Sequence, residues 1–379
     1  MKAIHKLFFL LLAIGYFCTA CESTGTMLTK IHPDGSCSRE LSKKVSINNM
    51  KDYSTLHFFA QLDSTWQIRW KFIGEDSAYH THFPLTEKQL NSIATDTASA
   101  KTKIELIAKK EYHSVTEMSE TFNYCEEIAP LKPKYDFQKK FMWFYTYYYY
   151  KEVFSKLQID YPVSIEKYMT KDEASFWLKG TPNLTTGMTG MEMRDYVGVL
   201  ENKYNEWLGD NYRTFIWHEI AANYEVIINP PVSKERFIEL IDSVLPLQKI
   251  SMENLMEFSD NKQLEKTLNE YFKTNAFSVL WQEKESVMQK SEEKIFDMIT
   301  LALFSNKIEY NLLIPGKVLK TSALIMNGDT LKWQLETTKM ITDDYILEAQ
   351  SRKSNVWAFV ITGLFILLTF SGIVHNYRK

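Results

Sequence analysis

Cysteine is scarce in this chain of 379 residues, four in all, and no CxxC pair occurs. That removes dithiol redox chemistry and the commonest cysteine-based metal sites. The GxSxG nucleophile elbow, the phosphate-binding P-loop and the GxGxxG dinucleotide fingerprint are also missing, so no cofactor is implied. Charge of one sign is lacking too: 44 basic residues stand against 47 acidic ones, for a net charge of -3. Without a basic patch in the sequence, nucleic acid is set aside as a partner. Glycine and proline, at 13 and 10, are too few for a low-complexity or fibrous chain.

Two apolar tracts of unequal length are present, one at each end. Lys2 and Lys6 precede or flank an apolar run, Leu7 to Phe17, followed by the small residues Thr19 and Ala20 before Cys21. At about 1.5 Å per residue that run is too short to span a hydrocarbon core of about 30 Å, and it has the layout of a signal peptide. The string FCTAC is similar to a bacterial lipobox, which makes Cys21 the expected lipidation site; plain cleavage after Ala20 leaves Cys21 a thiol instead. At the other end Val356 to Val374 carries no charge and is long enough to cross a bilayer, with Trp357 near one interface and basic residues on both flanks. Export followed by a stop-transfer helix places the intervening chain outside the cytoplasm. The expected organisation is a signal peptide over 1–20, a β-rich part over 21–161, a helical subdomain over 162–304, a C-terminal β part over 305–352, a transmembrane helix over 356–374 and a cytoplasmic tail over 375–379. A single apolar helix belongs in an inner (plasma) membrane.

In an oxidising compartment Cys37 and Cys125 can pair as a disulfide or remain two buried thiols. His80 and His82 share one side of a strand but have no third ligand in sight, and His218-Glu219 begins an HExxH motif that Ala222 leaves incomplete. No metal site is expected. Gly187 and Gly190 flank a helix start whose bare N–H groups can hold an anion, or else mark a loop.

Between the anchors the hydrophobic period changes twice. Met27 to Ile31, a Pro33-Asp34-Gly35-Ser36 turn and a run through Leu41 to Val45 read as a hairpin; Ser54 to Leu62, Trp66 to Ile73 and Ile104 to Tyr112 read as further strands. Thr86 and Thr170 open capping boxes. Helical spacing then holds over Met191 to Trp207, Tyr212 to Ile228, a helix capped by Ser233, one opened by Asp260, and Val279 to Phe304. Strands return from Tyr310 to Ala349, with Asn327-Gly328 as a hairpin signal. The fold class is therefore α+β: a mainly antiparallel sheet from N- and C-terminal strands, a large helical insertion, and one C-terminal apolar helix.

The tract from Phe137 to Phe154, FQKKFMWFYTYYYYKEVF, has bulky residues at both strand parities. It reads as a long central strand with one buried face, the phenols of the other reaching water or a ligand. Trp143, Tyr145 and Tyr147, joined by Trp177 from the helical block, would form an aromatic wall for an apolar or carbohydrate-like ligand; cross-strand packing is the alternative use.

The segments Ile314-Pro315-Gly316-Lys317-Val318 and Asn327-Gly328-Asp329-Thr330-Leu331-Lys332-Trp333, then a strand and a membrane helix, resemble the end of LppM-type bacterial lipoprotein modules. The Pro33–Ser36 hairpin behind a lipidated cysteine resembles their beginning. The middle, including WFYTYY and EASFWLKGTPNLT, looks like exported lipoproteins of Bacteroidetes-type bacteria. The resemblance implies an α+β module and a non-enzymatic role involving envelope lipid or glycolipid, and brings no catalytic residues. The expectation is a membrane-tethered binding or scaffolding protein of the cell envelope. It is held by lipid through its helix and N-terminal acyl group, and takes an envelope lipid, glycan or protein as partner. An envelope hydrolase or an accessory subunit of a membrane complex is the alternative.

Overall fold

The computed structural model describes residues 25–56, 58–73, 78–96, 103–124, 133–159, 161–244, 262–282, 288, 290, 291 and 307–378. Cys21 and Cys125, like most of the 279–304 stretch, lie outside them. The described chain is α+β, and it divides into two units, one from residues up to Leu157 together with Asn306 onward, the other over Gln158–Ser305.

In the first unit, strands β1 (Gly25–Ile31) and β2 (Cys37–Ser46) pair antiparallel. Their turn works because Asp34 Oδ1 accepts from Ser36 N and Oγ while Gly35 takes φ 102°, a left-handed conformation cheap only for glycine. β3 (Gln67–Phe72), β4 (Lys103–Tyr112), β7 (Ile308–Leu313), β9 (Ile325–Asn327) and β10 (Thr330–Leu335) complete a seven-stranded sheet ordered β3-β4-β2-β1-β7-β10-β9. β1 and β7 run parallel, so the N- and C-terminal strands meet in the middle of one sheet. The hairpin signal at Asn327 is present but shifted by a residue: Asn327 pairs with Thr330, and the two loop residues are Gly328 and Asp329. Met27, Leu41, Leu106, Leu312 and Leu331 line its buried side.

The second sheet has four antiparallel strands ordered β5-β6-β11-β8: β5 (Lys134–Met142), β6 (Tyr145–Phe154), β8 (Lys317–Thr321) and β11 (Tyr345–Ser354). Phe137 to Phe154 is a hairpin rather than one long strand, reversing at Trp143-Phe144 with Met142 opposite Tyr145. No glycine or proline marks this turn, which hides it from a sequence reading, and neither turn residue takes positive φ. Ser54 to Leu62 also departs from expectation: it holds a 3-10 turn over Ser54–Leu56 and a single bridge at Ala60 rather than a strand.

Helices α1 (Glu87–Asp96) and α2 (Val115–Thr121) belong to this unit as well. In the second unit α3 (Lys171–Lys179) carries the Thr170–Glu173 capping box. α4 (Gly190–Ala222) is one helix of 33 residues where the sequence suggested two. Gly209 at the junction costs helix propensity but supplies no break, since no proline is present. With α5 (Lys234–Glu239), α6 (Ile241–Val244) and α7 (Lys262–Phe272), α4 closes a core in which Trp217 stacks on Phe237 at 4.0 Å, beside Ile220, Leu268 and Phe277.

The last element, α8 (Val356–Tyr377), is 22 residues, and only Ala358 among them is buried. It is the one helix among the described residues long and apolar enough to cross a membrane.

Candidate functional site

β11 runs directly into α8 through Asn355, and the β5–β6 hairpin tip sits at that junction. Asn355 Nδ2 donates to the carbonyls of Met142 at 3.0 Å and Trp143 at 3.1 Å, and its backbone N–H donates to Phe144 O at 2.9 Å. Thr146 Oγ1 donates to Asn355 Oδ1 at 2.9 Å. Asn355 is the N-cap residue of α8, yet its side chain makes no cap bond to the helix because all of its polar atoms serve the hairpin. A turn without positive φ does not match strand twist by itself, and these bonds hold it.

Rings extend the junction down the helix. Phe141 stacks on Trp357 at 6.2 Å, Trp143 meets Trp357 edge-on at 5.2 Å, and Phe144 lies 4.7 Å from Phe359. Trp143 Nε1 donates to Thr362 Oγ1 at 2.9 Å. Thr362 is six residues into α8, so the tip descends about 9 Å beside the helix. Despite these contacts Phe141, Met142, Trp143 and Phe144 remain 55%, 49%, 47% and 37% exposed. Large apolar side chains left open to solvent as a group mark a surface meant for another phase or partner.

Three of the four expected wall residues thus belong to one hairpin, in a different arrangement from the one expected. Tyr145 and Tyr147 share the outer face of the sheet, 6.5 Å apart, whereas Trp143 is in the turn. Trp177 belongs to the helical unit, where its ring packs 5.8 Å from Tyr204. Neither of two shallow depressions is walled by the expected residues: one of about 270 Å³ on the four-stranded sheet lies at Gln138, Tyr149, Tyr150, Lys151, Lys320 and Glu348, and one of about 530 Å³ at Glu265, Lys266, Asn269 and Ser278.

The inner face of β6 carries a second polar constellation. Fully buried Arg39, on β2, donates through Nε to Thr29 Oγ1 at 3.1 Å, through Nη1 to Tyr135 OH at 3.1 Å and through Nη2 to Tyr310 OH at 3.3 Å. Its Nη2 lies 3.8 Å from Glu152 Oε2, which accepts from Tyr150 OH at 2.8 Å. The Tyr150 and Tyr310 hydroxyls share a bond of 2.8 Å, and Arg39 lies over the Phe122 ring at 4.3 Å. Burial disfavours the guanidinium charge, but Tyr135, Tyr310 and Glu152 outweigh it and hold Arg39 protonated. Burial, with Glu152 nearby, pushes the Tyr150 phenol well above its usual range. With both charged side chains at 0% exposure, this cluster joins the two sheets and offers no access to a substrate.

Of the remaining sequence candidates, His80 and Glu219 have structural partners. His80 packs against Trp70 at 4.4 Å, and Glu219 accepts from Ser291. No group of three metal-ligating side chains occurs among the described residues. The N-terminus of α4 is filled by its own carboxylate, since Glu192 Oε2 accepts from Thr189 N at 2.8 Å. Cys37 is a buried free thiol 3.8 Å from Met118 Sδ, and burial raises its pKa to about 11, so it is a poor nucleophile.

Asn355 and the hairpin turn escaped the sequence reading. The available signal was an asparagine directly before an apolar run, a common helix start, but nothing local names its distant partner. No family model, curated protein or solved structure matches this chain. The resemblance to LppM-type modules rests on the sequence motifs alone.

Proposed function

We propose that this chain is a membrane-tethered binding or scaffolding protein of the bacterial cell envelope, with α8 crossing the inner membrane and both folded units outside the cytoplasm. The observation that carries this reading is the Asn355 junction. A tether intended only as a leash would follow a flexible linker. Here four hydrogen bonds and a set of aromatic contacts fix the β-rich unit to the first turns of the apolar helix. The exposed Trp143 and Trp357 are a residue type suited to the bilayer interface, where an apolar ring enters the lipid and a polar edge stays wet, and the exposed Phe141 and Phe144 rings beside them add apolar surface. Acylation at Cys21 would add a second, weaker attachment.

Extraction of membranes with alkaline carbonate tests the tether. The full chain should stay in the pellet, and a chain ending at Asn355 should move largely to the supernatant. Release of the full chain by carbonate would end this reading.

A second reading, an accessory subunit of a membrane complex, is favoured by one observation. Met188, Met191, Met193 and Val199, around the start of α4, are 37% to 76% exposed, an unusual cluster of adaptable apolar side chains. Crosslinking in cells from position 191 should then trap a specific protein.

A further inference from the structure

Pairing across the four-stranded sheet places Lys140 opposite Tyr147, Tyr147 opposite Arg352, and Arg352 opposite Lys317. Directly paired residues point to the same face, so one rung of the outer face presents three cations around a tyrosine. Arg352 is oriented by the Tyr145 ring, 4.8 Å from its guanidinium carbon. Lys317 is fixed from behind: Gly316 has φ 85°, and a Cβ there would meet Arg352 O at 2.3 Å, so β8 begins pressed against β11. Among the described residues no carboxylate pairs with Lys140, Arg352 or Lys317.

Charge changes along the face. The next rung away from α8 is Gln138, Tyr149, Gln350 and Lys320, and the one after it holds Asp136, Lys151 and Glu348. Lys320 is already neutralised by Glu348 at 3.1 Å. Unpaired positive charge is therefore concentrated at the end of the sheet where α8 begins.

Depth agrees with charge. Trp143 reaches Thr362, about 9 Å along α8, and Tyr147 is four residues back up the strand, about 13 Å at 3.3 Å per residue. With the aromatic tip at the edge of the hydrocarbon, the backbone of the cationic rung stands roughly 5–8 Å outside a headgroup layer that is itself roughly 5–8 Å thick, a gap that the long lysine and arginine side chains span.

From this juxtaposition we infer that Lys140, Arg352 and Lys317, with Tyr147 between them, form a docking site for the phosphate headgroup of an anionic phospholipid in the bilayer that α8 spans. The site rests on the tether proposed above and adds a lipid preference that a tether alone does not require. The lipid phosphodiester accepts hydrogen bonds from the two ammonium groups and the guanidinium, and bilayer contact holds the sheet edge at a fixed height.

The test reconstitutes the full chain in vesicles of equimolar phosphatidylcholine and phosphatidylglycerol, extracts it in mild detergent and measures retained lipid by native mass spectrometry. The wild type should retain phosphatidylglycerol over phosphatidylcholine by on the order of tenfold. The triple variant K140Q, R352Q, K317Q should fall close to parity, and K320Q, which removes an already paired cation from the same face, should keep the preference. Sodium chloride and sodium phosphate of equal ionic strength should weaken retention equally. No preference in the wild type, an unchanged preference in the triple variant, or an equal loss in K320Q overturns the headgroup site while leaving the tether intact. Specific displacement by inorganic phosphate also overturns it, because the site would then take a free anion. A chain that fails to enter even pure phosphatidylcholine vesicles overturns both the site and the tether.

Discussion

Thr146 and Asn355 are 209 residues apart in sequence, and the hydroxyl of one donates to the amide oxygen of the other at 2.9 Å. That bond, with the amide nitrogen's two bonds to the hairpin carbonyls, makes one side chain responsible for both the reversal of β5 into β6 and the departure of α8.

Asn355→Ala should loosen the junction without unfolding the sheets. Two carbonyls and a hydroxyl lose a partner, worth about 1.5–4.5 kcal/mol together at about 0.5–1.5 kcal/mol for each neutral bond. Hydrogen exchange should show lost protection from Phe141 to Tyr148 and in the first turn of α8, with β1, β2 and β7 unchanged. Uniform protection across the hairpin would show that the aromatic contacts suffice.

The contact of Trp143 with Thr362 should appear as coupling in a double-mutant cycle. Trp143→Phe and Thr362→Val each remove one side of the 2.9 Å bond, and the coupling should be about 0.5–1.5 kcal/mol. Stability in detergent micelles measures it; additive effects would mean that the bond contributes nothing.

Between the sheets, Arg39→Met should destabilise by about 3–5 kcal/mol because it leaves Glu152 buried without its cation. Arg39→Met combined with Glu152→Leu should recover much of that loss, since apolar packing can replace a buried pair. Urea midpoints of the three proteins decide the matter. A double variant as unstable as the single one would assign the cost to the tyrosine hydroxyls left behind.

In the helical unit, Glu173 Oε1 accepts from Lys203 at 2.8 Å and Oε2 from Thr170 N at 2.8 Å; the Lys203 bond, then that of Thr170, draws its pKa below the usual 4.5. A depressed carboxylate contributes stability that is complete above pH 4.5 and is lost as pH falls through its folded value. Thermal unfolding of the wild type should therefore weaken more steeply below pH 4.5 than that of Glu173→Gln, by under about 1 kcal/mol because the pair is partly exposed. Parallel curves for the two proteins would contradict the assignment.

The parts of this fold legible in sequence are those written in local chemistry. Gly35 after Asp34 marked the β1–β2 turn, Thr170 and Glu173 the start of α3, and uncharged Val356 to Val374 the apolar helix. Alternation in β6 was legible too: Tyr148 and Tyr150 are buried at 2% and 1% while Tyr145, Tyr147 and Tyr149 face outward. The reversal at Trp143-Phe144 was not, because its determinant is Asn355 and no turn residue announces it. The cationic rung was hidden for a related reason, since Lys140, Arg352 and Lys317 lie on three strands and meet only through register. Gly209 shows the opposite failure: a residue that lowers helix propensity locally was overridden by packing on both sides in α4.

Topology is the claim on which the envelope role depends, and thiol labelling reads it directly. A membrane-impermeant maleimide applied to intact spheroplasts should label a cysteine placed at exposed Gln138, on the β-rich unit, and should label one placed at Asn376, at the far end of α8, only after lysis. Labelling of position 376 from outside with position 138 protected would invert the orientation and contradict the account.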